Sequence, residues 1–121
     1  MARILVIDDD AEMRAVLGQT LKAAGYEVVL AADGKQGLVE CGAKPIDLVV
    51  TDLVMPEQEG LETIMQLRRD YPKIATIAMS GMSDARNLLW IAEKIGAART
   101  LHKPFQADEF LAAVAEVLAR S

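Results

Sequence analysis

Ile4-Leu5-Val6-Ile7 runs directly into Asp8-Asp9-Asp10. A short apolar run that ends in acids reads as a buried strand delivering carboxylates at its carboxyl end. The pattern returns three times. Leu48-Val49-Val50-Thr51 leads into Asp52, the stretch from Ile74 to Met79 leads into Ser80, and Leu101-His102 leads into Lys103-Pro104. If these runs are parallel strands of one sheet, their carboxyl ends lie side by side. Open α/β sheets bind ligands in the crevice outside those ends. Carboxylates, a hydroxyl and an ammonium far apart in sequence would then share one pocket.

Strand-like and helix-like stretches alternate five times, which predicts a doubly wound parallel sheet covered on both faces. The first strand spans about 3–7. Asp10 can cap the following helix, on which Met13, Leu17, Thr20 and Leu21 share a face, and Gly25 ends it. Residues 26–31 read as the second strand, and Asp33-Gly34 turns into a helix with Leu38 and Cys41 on one face. Pro45 precedes the third strand, about 47–51. The third helix, about 59–70, carries Leu61, Ile64, Met65 and Leu67, and Tyr71-Pro72 breaks it. The fourth strand covers about 74–79. The helix after it covers about 84–95, with Leu88, Ile91, Ala92 and Ile95 towards the sheet and Gly96 closing it. The fifth strand runs about 98–102 and the last helix about 107–120.

The residue types point to phosphoryl chemistry. Three acids in one pocket repel one another unless a counter-charge is present. Mg²⁺ prefers oxygen ligands and is typically held by one or two carboxylates, waters and phosphate. Asp8 and Asp9 suit that role, with Asp52 as a third oxygen source. One carboxylate is left as a nucleophile able to form an acyl phosphate. Lys103 supplies positive charge, Ser80 a hydroxyl donor, and Gly81 leaves room for the group.

At these residues the chain resembles the receiver domain of two-component response regulators. The motif elements are Asp8-Asp9, Asp52-Leu53-Val54-Met55-Pro56 with Gly60 following, Ser80-Gly81, and Lys103-Pro104-Phe105. The resemblance covers essentially the whole chain, so 1–121 is expected to be one receiver domain of flavodoxin-like fold. It implies strand order 2-1-3-4-5, Asp52 as phosphoacceptor, and Mg²⁺ held by Asp8, Asp9, Asp52 and the backbone carbonyl of Val54. Ser80 resembles the switch hydroxyl, Lys103 the lysine that pairs with the acids, and Lys103–Pro104 the family's cis bond. The implied donor is a sensor histidine kinase or phosphotransfer protein. The implied output is a partner protein, or a domain outside this chain, engaged through a surface around the fourth and fifth helices. A dimer formed on phosphorylation is a further expectation. The protein would assist its own phosphorylation and dephosphorylation without being an enzyme for a separate substrate.

The chain departs from the family at Thr100, where many receivers carry Tyr or Phe. A switch based on a rotating ring is therefore replaced by Ser80, the fourth helix and loops, or a threonine hydrogen bond. Gln58, between Glu57 and Glu59, stands where an apolar residue is common. Val54 and Met82 follow Asp52 and Ser80 by two positions, where apolar side chains would hinder an attacking water.

Composition narrows the alternatives. At 121 residues and 52 % hydrophobic, the chain can bury one core. With 13 basic and 18 acidic residues, a net charge of −5 argues against unaided nucleic-acid binding. A single cysteine, Cys41, excludes an internal disulfide and fits a reducing cytoplasm. No leader or membrane-spanning run is evident. His102 lies in a strand rather than on a helix face, which disfavours a phosphohistidine role. Cys41 and the methionines at 13, 55, 65 and 79 read as core filling. Trp90 turns away from the sheet-facing residues of its helix and is a candidate partner contact. Two other readings remain. One is a phosphorylation-independent interaction module. The other is an aspartyl-nucleophile hydrolase of haloacid-dehalogenase type, against which Val54 stands where a second aspartate is needed.

Overall fold

The structure is a computed structural model that describes residues 1–53, 59–81 and 85–120. Among the described residues ten elements alternate: β1 (Arg3–Ile7), α1 (Ala11–Ala23), β2 (Glu27–Ala31), α2 (Gly34–Ala43), β3 (Leu48–Asp52), α3 (Glu59–Asp70), β4 (Ala75–Ser80), α4 (Ala85–Lys94), β5 (Arg99–His102) and α5 (Ala107–Ala119). The strands form one parallel sheet in the order β2-β1-β3-β4-β5, as expected. Val54, Met55, Gln58 and Met82 lie outside the described residues.

Side chains alternate across a strand, so a parallel sheet covered on both faces needs apolar residues at every position. That is why the strands read as unbroken apolar runs. Ile4, Val6, Leu48, Val50, Ile77 and Met79 pack on one face with Leu17 and Leu21 of α1 and Phe110, Val114 and Val117 of α5. Leu5, Ile7 and Val49 face the other way, against Cys41 of α2 and Leu67 of α3. Ala78 on that side meets Ile64 of α3 and Ala92 of α4.

The helix boundaries have local causes. Asp10 caps α1, accepting from the N–H groups of Glu12 and Met13, and Asp33 caps α2, accepting from Gln36. Gly25 and Gly96 follow α1 and α4 with positive φ, which relieves an L side chain of a strained backbone.

Two expectations about packing need correction. Met65 is 56 % exposed, not core filling, while its neighbour Ile64 is buried. Successive helical residues are turned about 100° apart, so one axial face cannot hold both. For the same reason Ile91 is 37 % exposed beside the fully buried Ala92. Met79 is buried and Met13 packs against the core. Cys41 is buried too, and burial pushes its thiol up to about 11, an unreactive value at neutral pH.

Candidate phosphoryl-transfer site

The carboxyl ends of β1, β3, β4 and β5 bring the expected residues together. Asp52 and Ser80 are the last residues of their strands rather than the first of the loops, because the ladder continues through Asp52↔Met79 and Ser80↔His102. Their backbones therefore belong to the rigid sheet. Asp8 is fully buried, Asp52 is 7 % exposed, Ser80 is fully buried and Asp9 lies open at the rim. One carboxylate oxygen from each of Asp8, Asp9 and Asp52 lies within 4.8 Å of the others.

Lys103 reaches into this cluster. Its Nζ donates to Asp52 Oδ2 at 3.0 Å and to Asp8 Oδ2 at 3.2 Å. The Lys103–Pro104 bond is cis, and the Lys103 N–H donates to the Ser80 carbonyl at 2.9 Å. Burial pushes the Asp8 carboxyl above its ordinary value and the charge of Asp52 adds to this. The Asp10 N–H and Lys103 pull the other way without cancelling it. Burial acts to lower the Lys103 ammonium, yet its bonds and charge contacts with Asp52 and Asp8 outweigh that and hold it above the usual lysine range.

Three carboxylates thus face one ammonium, and the charge is not balanced by Lys103 alone. A compact, all-oxygen donor set with excess negative charge fits Mg²⁺. The Ser80 hydroxyl oxygen is buried and finds no hydrogen-bond partner among the described residues. A buried polar atom without a partner is costly and marks a place where one is supplied by something else. It stands at the same strand-end level as Asp52.

Gly60, at the start of α3, explains how close the helix comes to the site. A Cβ there would lie 2.5 Å from the Asp52 carbonyl oxygen and 2.5 Å from Leu53 Cα. Gly60→Ala is expected to cost about 1–3 kcal/mol, because backbone on both sides must shift. Its urea midpoint should fall. An unchanged midpoint would mean that α3 can slide outwards freely.

Thr100, where an aromatic ring was expected from the family, donates from its hydroxyl to Glu93 Oε1 at 3.2 Å and so ties β5 to α4. Trp90 is 60 % exposed, as its helical position predicts, with Lys94 Nζ 5.3 Å from the ring centroid. His102 is exposed on β5. One residue escaped sequence reasoning. Arg14 Nη1 donates to the Asp8 carbonyl oxygen at 2.7 Å. The only sequence signal was a cation close to the start of a helix, where the helix dipole disfavours it.

Fold and site together define a doubly wound α/β protein with an acidic pocket at the carboxyl ends of its strands. The chain belongs to the response regulator receiver domain family, whose model matches residues 4–115. It is 38 % identical over 120 residues to the probable transcriptional regulator ycf27 of Porphyridium aerugineum, covering 98 % of this chain and 48 % of that protein. It is similar to the crystal structure of a receiver domain protein from Clostridium thermocellum, at a TM-score of 0.90 and 31 % identity over 99 % of this chain and 96 % of the other. It is also similar to the response regulator TrrA of Thermotoga maritima, solved in complex with Mg²⁺-BeF, at a TM-score of 0.85 and 31 % identity over 96 % and 98 % of the two chains. The chain spans about half the length, or less, of the curated relatives it matches. Among the described residues no helix is long and apolar enough to cross a membrane.

Proposed function

We propose that Asp52 is the phosphoacceptor of a signalling switch, that Asp8, Asp9 and Asp52 hold Mg²⁺, and that Lys103 and Ser80 receive the phosphoryl group. The backbone carbonyl of Val54 is the further ligand that the family resemblance implies. The observation that carries this reading is the ammonium of Lys103 bridging Asp8 and Asp52 inside a cluster of three carboxylates. The complex of TrrA with Mg²⁺-BeF supports the choice of cation.

An Asp52 carboxylate oxygen attacks phosphorus. The new O–P bond forms as the bond to the donor nitrogen of a phosphohistidine, or to the acyl oxygen of acetyl phosphate, breaks, and the donor keeps the electron pair. Mg²⁺, when bound, offsets the charge of the acids and of the transferred group. Lys103 leaves its pairing with Asp52 for a phosphoryl oxygen, and the Ser80 hydroxyl gains the partner it lacks. Ser80 adjoins β5 through the β4–β5 ladder, and Thr100 on β5 is bonded to α4. Movement at Ser80 therefore biases the outer surface of α4 and α5, where Trp90 stands exposed, towards a partner. The chain acts on its own Asp52 and has no separate substrate. The partner is an output protein or an output domain of the same polypeptide, in the cytoplasm.

Intact mass after incubation with acetyl phosphate and Mg²⁺ tests this reading. The expected result is a gain of one phosphoryl group, lost with a chelator and in Asp52→Ala. A folded protein that gains nothing from any donor, or one that gains equally in Asp52→Ala, overturns it.

A further inference from the structure

The turn from Asp8 to Asp10 is anchored by a residue with no role in the chemistry above. Each polar group of Asp8 has a partner. Its N–H donates to the Ala31 carbonyl at 3.2 Å, Oδ1 accepts from the Asp10 N–H at 3.0 Å, Oδ2 accepts from Lys103, and its carbonyl accepts from Arg14. The other end of the turn is held by the helix itself: the Asp10 carbonyl accepts from the backbone N–H of residue 14 at 2.9 Å, the first i→i−4 bond of α1, which any non-proline residue there would make. Asp9 sits between these two anchored residues. Its side chain is exposed, so the direction of its carboxylate is set mainly by the backbone on either side.

Arg14 is poorly placed for helix stability. Cations near a helix N-terminus oppose the dipole there. The 2.7 Å bond to the Asp8 carbonyl is in the short, charge-assisted range and offsets that cost. Its position makes physical sense as a brace for the turn.

We propose that Arg14 is a positioning residue for the acidic cluster: by holding the Asp8 carbonyl it fixes the turn that brings the Asp8 and Asp9 carboxylates together, and divalent-cation binding depends on it. This rests on the reading of Asp8, Asp9 and Asp52 as a cation site. The sign of the effect separates two roles. As a charge alone, Arg14 repels a cation, and its removal would tighten binding. As a brace, its removal lets the turn relax, and binding weakens although a repelling charge has gone.

The test is calorimetric titration of the whole chain with Mg²⁺ alone, in the parent, Arg14→Met and Arg14→Lys. Methionine keeps much of the apolar stem, and lysine keeps a donor for the same carbonyl. Arg14→Met is expected to bind about tenfold more weakly or worse, as for the loss of other groups that orient metal ligands. Arg14→Lys should recover part of the loss. Binding by Arg14→Met as tight as the parent's, or tighter, overturns the proposal. A second readout needs no cation. The Asp10 amide, bonded to Asp8 Oδ1, should exchange with solvent several-fold faster in Arg14→Met, while the Val6 amide in β1 is unchanged. An unchanged Asp10 amide overturns the brace. A parent that binds no Mg²⁺ overturns the cation site itself and the claim that cation binding depends on Arg14, and the exchange result then decides whether Arg14 holds the turn.

Discussion

Lys103→Met is expected to slow phosphoryl capture by Asp52 about 100-fold, the scale on which removing one preorganised charge-stabilising donor acts. The lysine side chain is 18 % exposed and touches both buried acids, so its charge acts where water screens little. Methionine retains the stem and removes only the charge. A time course of intact mass with acetyl phosphate measures the effect, and a slowing of less than about tenfold would mean that Lys103 does not stabilise the developing charge. The same variant leaves Asp8 and Asp52 without their ammonium, so it should also be less stable when cations are chelated, by up to about 3 kcal/mol at neutral pH. The pH dependence has a definite sign. Burial already holds the Asp8 carboxyl above its unfolded value, so its contribution favours folding in acid and is lost as pH rises through the folded value. Removing Lys103 raises Asp8 further. The stability gap between variant and parent should therefore be small near pH 3 and widen towards neutrality, as judged by urea unfolding with chelator across a pH series. A gap that stays constant would show that the lysine does not interact with the ionised acids.

Phe110→Ala is expected to cost about 3–5 kcal/mol, the largest loss of stability we foresee from a single side chain. Phe110 is fully buried and stacks on Phe105 with ring centroids 5.7 Å apart. It stands where α5 meets the sheet, in one cluster with Met79, Leu101 and the α1 residues Leu17 and Leu21. Residues of α1, α5 and the sheet share this one cluster, so collapse into the cavity would have to move α5 against both α1 and β5. The expected signature is a lower urea midpoint with an unchanged slope, and a fall in Tm of about 10–20 °C. Phosphorylation well below that Tm should persist, because the ring packs in the apolar cluster beneath α1 and α5. A loss of under about 1 kcal/mol would show that the α1–α5 side of the core repacks around the gap.

The fold was legible because its information lies in strands buried on both faces, and such strands write themselves as apolar runs. The site was legible for a related reason. Each run ends in a residue of the candidate site, as Ile7 does in Asp8 and Met79 in Ser80. Two kinds of detail were not. Strand ends shifted by one residue at β3 and β4, because pairing with a neighbour, not local preference, sets where a ladder stops. Faces of helices blurred where adjacent apolar residues compete, as at Ile64 with Met65 and Ile91 with Ala92. Arg14 illustrates a third limit. Its bond to Asp8 is made by a long side chain reaching back along the chain, and no periodicity announces such a reach. The hydrogen bond from Thr100 to Glu93 was open as one replacement for the missing ring, but its partner needed three dimensions.

The order of the strands also has a consequence for synthesis of the protein on the ribosome. Asp8, Asp9 and Asp52 all emerge before residue 53, whereas the lysine that partly neutralises them is made 51 positions after Asp52 (103 − 52). At roughly 5–20 residues per second, the nascent chain carries its acids without their cation for about 3–10 s. β4, which brings Ser80 next to Asp52 in the sheet, is also still to come. A half-made chain can pair β1 with β2 and β3, yet it lacks the lysine and the hydroxyl proposed to receive a phosphoryl group. On the function proposed above, the topology delays competence as an acceptor until β5 and Lys103 have been made.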